Sequence, residues 1–256
     1  MRVASFNISH GTTLDGSPST PDLLVDACSS LHADVLALQE VDRGQPRSGG
    51  VDQAAIVAAG TAAAAWRFQP ALVGEPGGRW RAATGDVEAR EPSYGVALVS
   101  RLTVRSWHVV HLAAARLRSP VYVPGRRAFI LLPDEPRVAL AALVEGPEGP
   151  LVVASCHLSF VPGWNVAQLR RLTRALAVLG HPCLLLGDLN LPGRLPALAS
   201  GWRSLARAPT FPAARPSLQI DHALGHGRVP RVAGVSARAL GVSDHRALVV
   251  DFEADM

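Results

Sequence analysis

Short apolar runs in this chain repeatedly end on a carboxylate, an amide or a histidine. Arg2-Val3-Ala4-Ser5-Phe6 runs into Asn7, and Val35 to Gln39 runs into Glu40. Ser155-Cys156 leads into His157, and Cys183 to Leu186 passes through Gly187 into Asp188, with Asn190 close behind. Asp221 lies in the run Gln219 to Leu224, and Asp244-His245 stands immediately before the run Arg246 to Phe252. An apolar strand carries a polar group most cheaply at its end, where the group leaves the core. A chain with this pattern is therefore constrained to a sheet-rich fold, and strand ends that meet at one edge would collect these residues into a cluster.

Between the strands lie helical signals. Thr20-Pro21-Asp22 reads as a helix start, with Thr20 as N-cap and Pro21 in the first turn, followed by Leu23, Leu24, Ala27 and Leu31 at helical spacing. Val51 to Thr61 is an Ala-rich helix candidate. Val166 to Leu179 is amphipathic, with Leu169, Leu172, Leu176 and Leu179 on one face and Arg170, Arg171 and Arg174 on another. Tyr94 to Ser100, Val138 to Val144 and Leu151 to Cys156 read as further strands. Val73 to Pro92 and Ala113 to Pro136 read as long loops rich in Gly, Pro and Arg, either insertions or a substrate-binding rim. Strict strand–helix alternation is absent from the middle third, which favours mixed sheets packed face to face in an α/β protein. No repeat or linker divides the 256 residues, so the expectation is one domain spanning residues 1–256.

Composition adds exclusions. The formal net charge is +4 and every basic side chain is Arg, never Lys. Arg grips phosphate in a bidentate way, but a charge this small and dispersed does not by itself argue for nucleic acid. Three cysteines without paired spacing argue against a disulfide framework and suit the cytoplasm. The strand pattern starts at Arg2, so no secretory signal is expected, and no apolar stretch is long enough to span a membrane. The chain is expected to be a cytoplasmic monomer.

The strand-end residues suggest a chemistry. Oxygen-rich clusters of Asp, Glu and Asn suit Mg²⁺ or Mn²⁺, and histidines beside them move protons near neutral pH. Phosphoester hydrolysis needs charge neutralisation, an oriented water and a protonated leaving group. Taken singly, each residue has a simpler reading: an Asp after a strand is more often a turn former, Asn7 a local hydrogen-bonding residue, and His222 a packed or surface histidine. The ordered combination carries the inference.

In that combination the chain resembles the endonuclease/exonuclease/phosphatase superfamily, in particular its uncharacterised bacterial members. The resemblance runs in order through Phe6-Asn7, Gln39-Glu40-Val41-Asp42, Gly95 to Arg101, His157-Leu158, Gly187-Asp188-Leu189-Asn190, Ile220-Asp221 and Ser243-Asp244-His245. It implies a DNase-I-like four-layer α/β/β/α sandwich of two packed mixed sheets, with the site at one end of the sheets. It also implies roles. Glu40, with Asn7 and Asp244, would hold the metal, Mg²⁺ or Mn²⁺. Asp188 and Asn190 would orient and deprotonate the attacking water. His245, paired with Asp221, would polarise the phosphate or serve as the base, and the choice of base between Asp188 and His245 stays open. His157 would protonate the leaving oxygen or stabilise the pentavalent transition state. Arg101, Arg137 or the pair Arg126-Arg127 could clamp phosphate oxygens.

The substrate is a phosphoester of one of two kinds, a nucleic acid or a small molecule or lipid headgroup; a binding-only member is the remaining alternative. Abasic-site enzymes of the superfamily carry Tyr-Val-Pro-Asn where this chain has His157-Leu158, and Tyr122-Val123-Pro124-Gly125 lacks the Asn, which lowers that option. Trp80, Trp107, Trp164 and Trp202 could stack on a base, rest on lipid or simply pack.

Overall fold

The protein is described from a computed structural model over residues 1–84, 87–88, 90–116, 119–123 and 128–253. Arg126, Arg127, Pro124 and Gly125 lie outside the described residues.

The apolar runs form two mixed sheets. In spatial order the first contains β14 (Val232–Arg238), β15 (Ala247–Phe252), β1 (Arg2–Asn7), β2 (Val35–Arg43), β5 (Ser93–Ser100), β3 (Ala65–Gly74) and β4 (Trp80–Ala82). The second contains β12 (Arg203–Ser204), β13 (Asp221–His226), β11 (Cys183–Asp188), β10 (Gly149–His157), β9 (Arg137–Gly146) and β6 (Val104–Leu112). Strand alternation explains why the runs are apolar on both faces. In β1, Val3 joins the core between the sheets with Val35, Leu98, Leu140, Val153 and Leu184. Ala4 and Phe6 point the other way, onto α1 (Pro21–Ser29) and α2 (Gln53–Gly60) with Leu24, Val57 and Leu38. On the outer face of the second sheet, Leu169, Leu172 and Leu176 of α3 (Trp164–Ala177) pack with Ala154, Cys156 and Leu185, beside the short α4 (Leu195–Ser200). Three cores thus separate four layers, α/β/β/α, as the resemblance implied.

The helix signals hold. Thr20 Oγ1 accepts from the Leu23 N–H at 3.2 Å, with Pro21 at the start of α1. Asp52 caps α2 by accepting from the Ala55 N–H at 2.9 Å. Two readings change. The stretch from Ala113 to Pro136 is not simply a loop: it holds a hairpin of β7 (Ser119–Val123) and β8 (Ala128–Leu132), Ser119 opposite Leu132. The stretch after Val73 holds β4, paired with the end of β3.

Two features set the site end of the sheets. Strands β1 and β2 run parallel, as do β10 and β11, and each pair ends at the same edge. Beneath that edge a buried polar bridge joins the sheets. Ser5 Oγ donates to Gln39 Oε1 at 3.3 Å, Gln39 Nε2 to Ser155 Oγ at 3.1 Å, and Ser155 Oγ to the Leu38 carbonyl at 3.0 Å. A satisfied buried network of this kind fixes one alignment of the sheets, because any other leaves polar groups unpaired. The cysteines Cys28, Cys156 and Cys183 are buried and unpaired. No helix among the described residues is long and apolar enough to cross a membrane.

Candidate active site

Strand register assembles the cluster. His157 of β10 is level with Asp188 of β11, and Asp188 is level with Asp221 of β13, so three adjacent strands present these residues on one rung. Asn7 at the end of β1 reaches across from the other sheet.

Local backbone chemistry aims each side chain. A bulge interrupts the pairing of β2 with β5 between Leu38 and Val41, and within it Glu40 takes a left-handed φ of 55°. An extra residue at a bulge re-aims its neighbour, so Gln39 stays between the sheets while Glu40 turns to the site. Gly187 has φ 154°, and a Cβ there would lie 2.0 Å from the Cys156 carbonyl oxygen. Only glycine lets β11 approach β10 this closely ahead of Asp188. Ser243 at φ 73° donates to the Asn7 carbonyl at 2.6 Å and accepts from the His245 N–H at 3.0 Å, which fixes the turn that delivers His245.

The residues form one connected unit. Asn7 Nδ2 donates to Glu40 Oε1 at 3.0 Å and to Asp188 Oδ2 at 3.1 Å. Asp188 Oδ1 accepts from the Asn190 N–H at 3.0 Å. Asp188 Oδ2 lies 3.6 Å from His157 Nε2 and 3.8 Å from His245 Nε2. His245 Nδ1 pairs with Asp221 Oδ2 at 2.9 Å, and Thr210 Oγ1 donates to the same oxygen at 2.5 Å. Arg137 Nη1 lies 3.3 Å from His157 Nδ1. A guanidinium only donates, so Nδ1 accepts and the His157 proton sits on Nε2, facing Asp188; Asn190 Nδ2, 3.3 Å from that nitrogen, donates to the Leu158 carbonyl at 3.0 Å.

Electrostatics separates the roles. Burial and the charge of Asp221 raise the Asp188 carboxyl to about 7, against the opposing pull of His245. Burial would lower His245, but Asp221, Asp188 and Asp244 outweigh it and lift the imidazole to about 10. Burial and Arg137 push His157 down to about 3, so it is neutral at pH 7. Burial opposes ionisation of Glu40, yet the His10 imidazole and the Asn7 amide bring it well below the usual carboxylate range.

Three carboxylates, Glu40, Asp188 and Asp221, converge here, and Asp221 Oδ1 is buried with no hydrogen-bond partner among the described residues. That excess of buried negative charge, relieved only in part by His245, fits a divalent cation. Donor atoms of Asp188, Asp221 and His245 lie within 4.8 Å of one another. A His245 that holds both its protons donates instead of ligating, which leaves the Glu40 side for the ion. With its amide donating to Glu40 and Asp188, Asn7 turns its oxygen to the Ser9 N–H at 3.0 Å; a cation between the carboxylates would favour the reverse orientation.

The structure therefore brings together Asn7, Glu40, His157, Asp188, Asn190, Asp221 and His245, with Arg137 behind His157. Asp244 is exposed on the rim, and its side chain makes no hydrogen bond or ion pair among the described residues. Arg101 is a correction. Strand β5 runs antiparallel to β2 with Ser100 opposite Val35, and the Arg101 N–H bonds the Asp34 carbonyl at 2.8 Å, so Arg101 lies at the far end of the sheet from Glu40 and cannot clamp a phosphate there. His222 is packed, its ring 2.8 Å from the Leu191 carbonyl. Trp202 is buried and stacks on the exposed His226. Trp164, 37% exposed, donates to the Ala113 carbonyl at 2.9 Å and, with Val161, Pro162, Ala113 and Arg116, lines a mainly apolar cleft of about 460 Å³. His10 enters without having been singled out by the sequence: its Nδ1 lies 3.6 Å from Glu40 Oε2. The only sequence signal for it is a histidine in the segment directly after Asn7.

A profile of the family described as "Endonuclease/Exonuclease/phosphatase family" matches residues 4–245. No protein of curated function matches the chain in sequence. Among solved structures, an endonuclease/exonuclease/phosphatase from Beutenbergia cavernae superposes with TM-score 0.66 at 23% identity, over 99% of this chain and 71% of that one. A mannosyl-6-phosphatase from Bacteroides thetaiotaomicron gives 0.61 at 15%, over 99% of both chains. A truncated Caenorhabditis elegans TDP2 gives 0.59 at 14%, over 98% and 96%. At these identities the structural likeness carries the fold alone.

Proposed function

The chain belongs to the Endonuclease/Exonuclease/phosphatase family, and we propose that it hydrolyses phosphoester bonds with a divalent cation, Mg²⁺ or Mn²⁺, at the buried cluster. The observation that carries this reading is one carboxylate, Asp188, held between the Asp221–His245 pair and the Asn7–Glu40 pair. Glu40 would hold the cation with Asn7 beside it, and Asp244 would join from the rim by turning inward or through water. When bound, the cation neutralises phosphoryl oxygens and stabilises the charge that develops on them.

The protein residues do the rest. Asp188, raised to about 7, is suited to take a proton from a water held against Asn190 for in-line attack. Of the two candidate bases, His245 is the poorer, because an imidazole lifted to about 10 already carries its proton. Its Nε2–H is instead a charged donor for a phosphoryl oxygen. His157, lowered to about 3, has no acidic proton to give a leaving group at neutral pH, but its Nε2–H can stabilise the pentavalent transition state. Arg137 holds the His157 ring in that tautomer.

Two substrate kinds remain in play, nucleic acid and a small molecule or lipid headgroup. The cleft beside Trp164 favours the second, since an apolar wall with Arg116 at its edge suits a phosphoester bearing an apolar group. The test is a rate assay with Mg²⁺ or Mn²⁺ on bis-p-nitrophenyl phosphate, p-nitrophenyl phosphate and supercoiled plasmid in parallel. Cleavage of the small esters alone supports the small-substrate reading, plasmid nicking that is lost in Asp188→Ala supports a nuclease, and silence on all three contradicts phosphoester hydrolysis.

A further inference from the structure

We infer that His10 is itself a ligand of the bound cation and that its nitrogen makes the site select Mn²⁺ over Mg²⁺; this rests on the cation site proposed at Glu40. His10 lies in the turn after β1, with its side chain 29% exposed. Its Nδ1 is nevertheless buried and has no hydrogen-bond partner among the described residues. It lies 3.6 Å from Glu40 Oε2. A charge-assisted hydrogen bond would close to about 2.8 Å, and a buried ring nitrogen left unpaired is costly. Cis ligands of an octahedral ion, each about 2.1 Å from it, stand about 3.0 Å apart, so a small closing of these two side chains would let one cation meet both. A cation between Nδ1 and Oε2 would satisfy both atoms at once.

The backbone is arranged to hold that spacing. Ser9, His10 and Glu40 have φ values of 44°, 46° and 55°, left-handed conformations that side chains other than glycine adopt at a cost. Such conformations persist where surrounding contacts enforce them. Here the Ser9 N–H is held by Asn7 Oδ1 at 3.0 Å. The buried Gln53 side chain spans the two ligands: its Nε2 donates to the His10 carbonyl at 2.7 Å, and its Oε1 accepts from the Asp42 N–H at 2.9 Å, just beyond Glu40. One amide from α2 thus ties the His10 turn to the strand that carries Glu40.

A nitrogen in the ligand set has a chemical consequence. Mg²⁺ is satisfied by oxygen donors and dehydrates reluctantly, whereas imidazole suits transition ions. A site of Glu40, Asn7 and water alone would discriminate weakly between Mg²⁺ and Mn²⁺, and adding His10 tilts it toward Mn²⁺.

The test is metal binding by the full chain, stripped with chelator, by calorimetric titration with Mn²⁺ and separately with Mg²⁺, together with the ¹⁴N hyperfine coupling of bound Mn²⁺. His10→Asn is the informative variant because Asn tolerates the left-handed backbone. We expect it to weaken Mn²⁺ by about 10- to 100-fold while moving Mg²⁺ by no more than about twofold, and to remove a ¹⁴N coupling present in the wild type. Unchanged affinities with the coupling retained overturn the inference, and so does an equal loss of both ions. Glu40→Gln separates this from the underlying reading. If it abolishes binding of both ions while His10→Asn changes neither, only the His10 assignment fails; if it weakens neither ion, the cation site at Glu40 fails as well.

Discussion

His245 Nδ1 and Asp221 Oδ2 are 2.9 Å apart, and both side chains are buried. The carboxylate fixes the ring orientation, keeps the proton on Nδ1 and holds the imidazole charged up to about pH 10. Replacing Asp221 with Asn keeps the shape and removes the charge. We expect Asp221→Asn to fold, to lower kcat by about 10²–10⁴-fold, and to bring the His245 titration down toward the ordinary imidazole range. Nuclear magnetic resonance of the His245 ring reads the titration directly, and an unmoved transition would contradict the pairing.

Gly187 tests the geometry that delivers Asp188. With φ 154° and the Cys156 carbonyl 2.0 Å from where a Cβ would stand, alanine must push β11 away from β10. Gly187→Ala should cost about 3 kcal/mol or more, about 6 °C or more in melting temperature for a domain of this size. A wild-type melt would show that the strands are not so tightly apposed.

His157 predicts a pH dependence of stability. Its folded pKa, about 3, lies below the ordinary value of 6.5 because the buried ring beside Arg137 resists a second proton. A depressed group contributes stability above its unfolded pKa and loses it as the pH falls through the folded one. Between pH 6.5 and about 3 the unfolded chain takes the proton that His157 refuses in the fold, while Asp188, raised from 3.8 to about 7, offsets this by taking a proton in the fold that the unfolded chain declines. His157→Gln should therefore gain stability relative to the wild type in the urea-midpoint profile as the pH falls through that window, and Arg137→Gln should show part of the same gain. Identical profiles for all three proteins would exclude His157 as the source.

Much of the fold was legible because its central strands are buried on both faces. Val35 to Leu38 and Cys183 to Leu186 read as continuous apolar runs, and the polar residues ending them mark the site edge. Elements that depend on pairing were not legible. β14 alternates half-buried with exposed residues at a sheet edge, and β3 carries Pro70 at a register shift, so neither reads as a strand in isolation. Strand direction separates the arginines: Arg101 and Arg137 both flank apolar runs, yet the antiparallel course of β5 takes Arg101 to the far pole while Arg137 opens β9 beside His157. His10 meets Glu40 only through a turn and a bulge, both with left-handed residues that are not glycine, and neither is signalled by composition. The family resemblance supplied the order of the site residues, and the register of β10, β11 and β13 brings them face to face.

Metal dependence gives a further expectation. The three carboxylates in the cluster repel one another without a counter-ion, so Mn²⁺ or Mg²⁺ should raise the melting temperature of the stripped protein and EDTA should reverse the gain. Glu40→Gln should abolish that shift. A melt indifferent to the ions would speak against a cation among these side chains.

The central claim is that Asp188 at this cluster drives metal-dependent phosphoester hydrolysis. The most direct measurement is the steady-state rate on bis-p-nitrophenyl phosphate for wild type and Asp188→Asn, in EDTA and after restoring Mg²⁺ or Mn²⁺. Turnover is expected only from the wild type with metal, with a loss of about 10²-fold or more in the variant at unchanged melting temperature. Equal rates in the two proteins, or full activity in chelator, would contradict the claim.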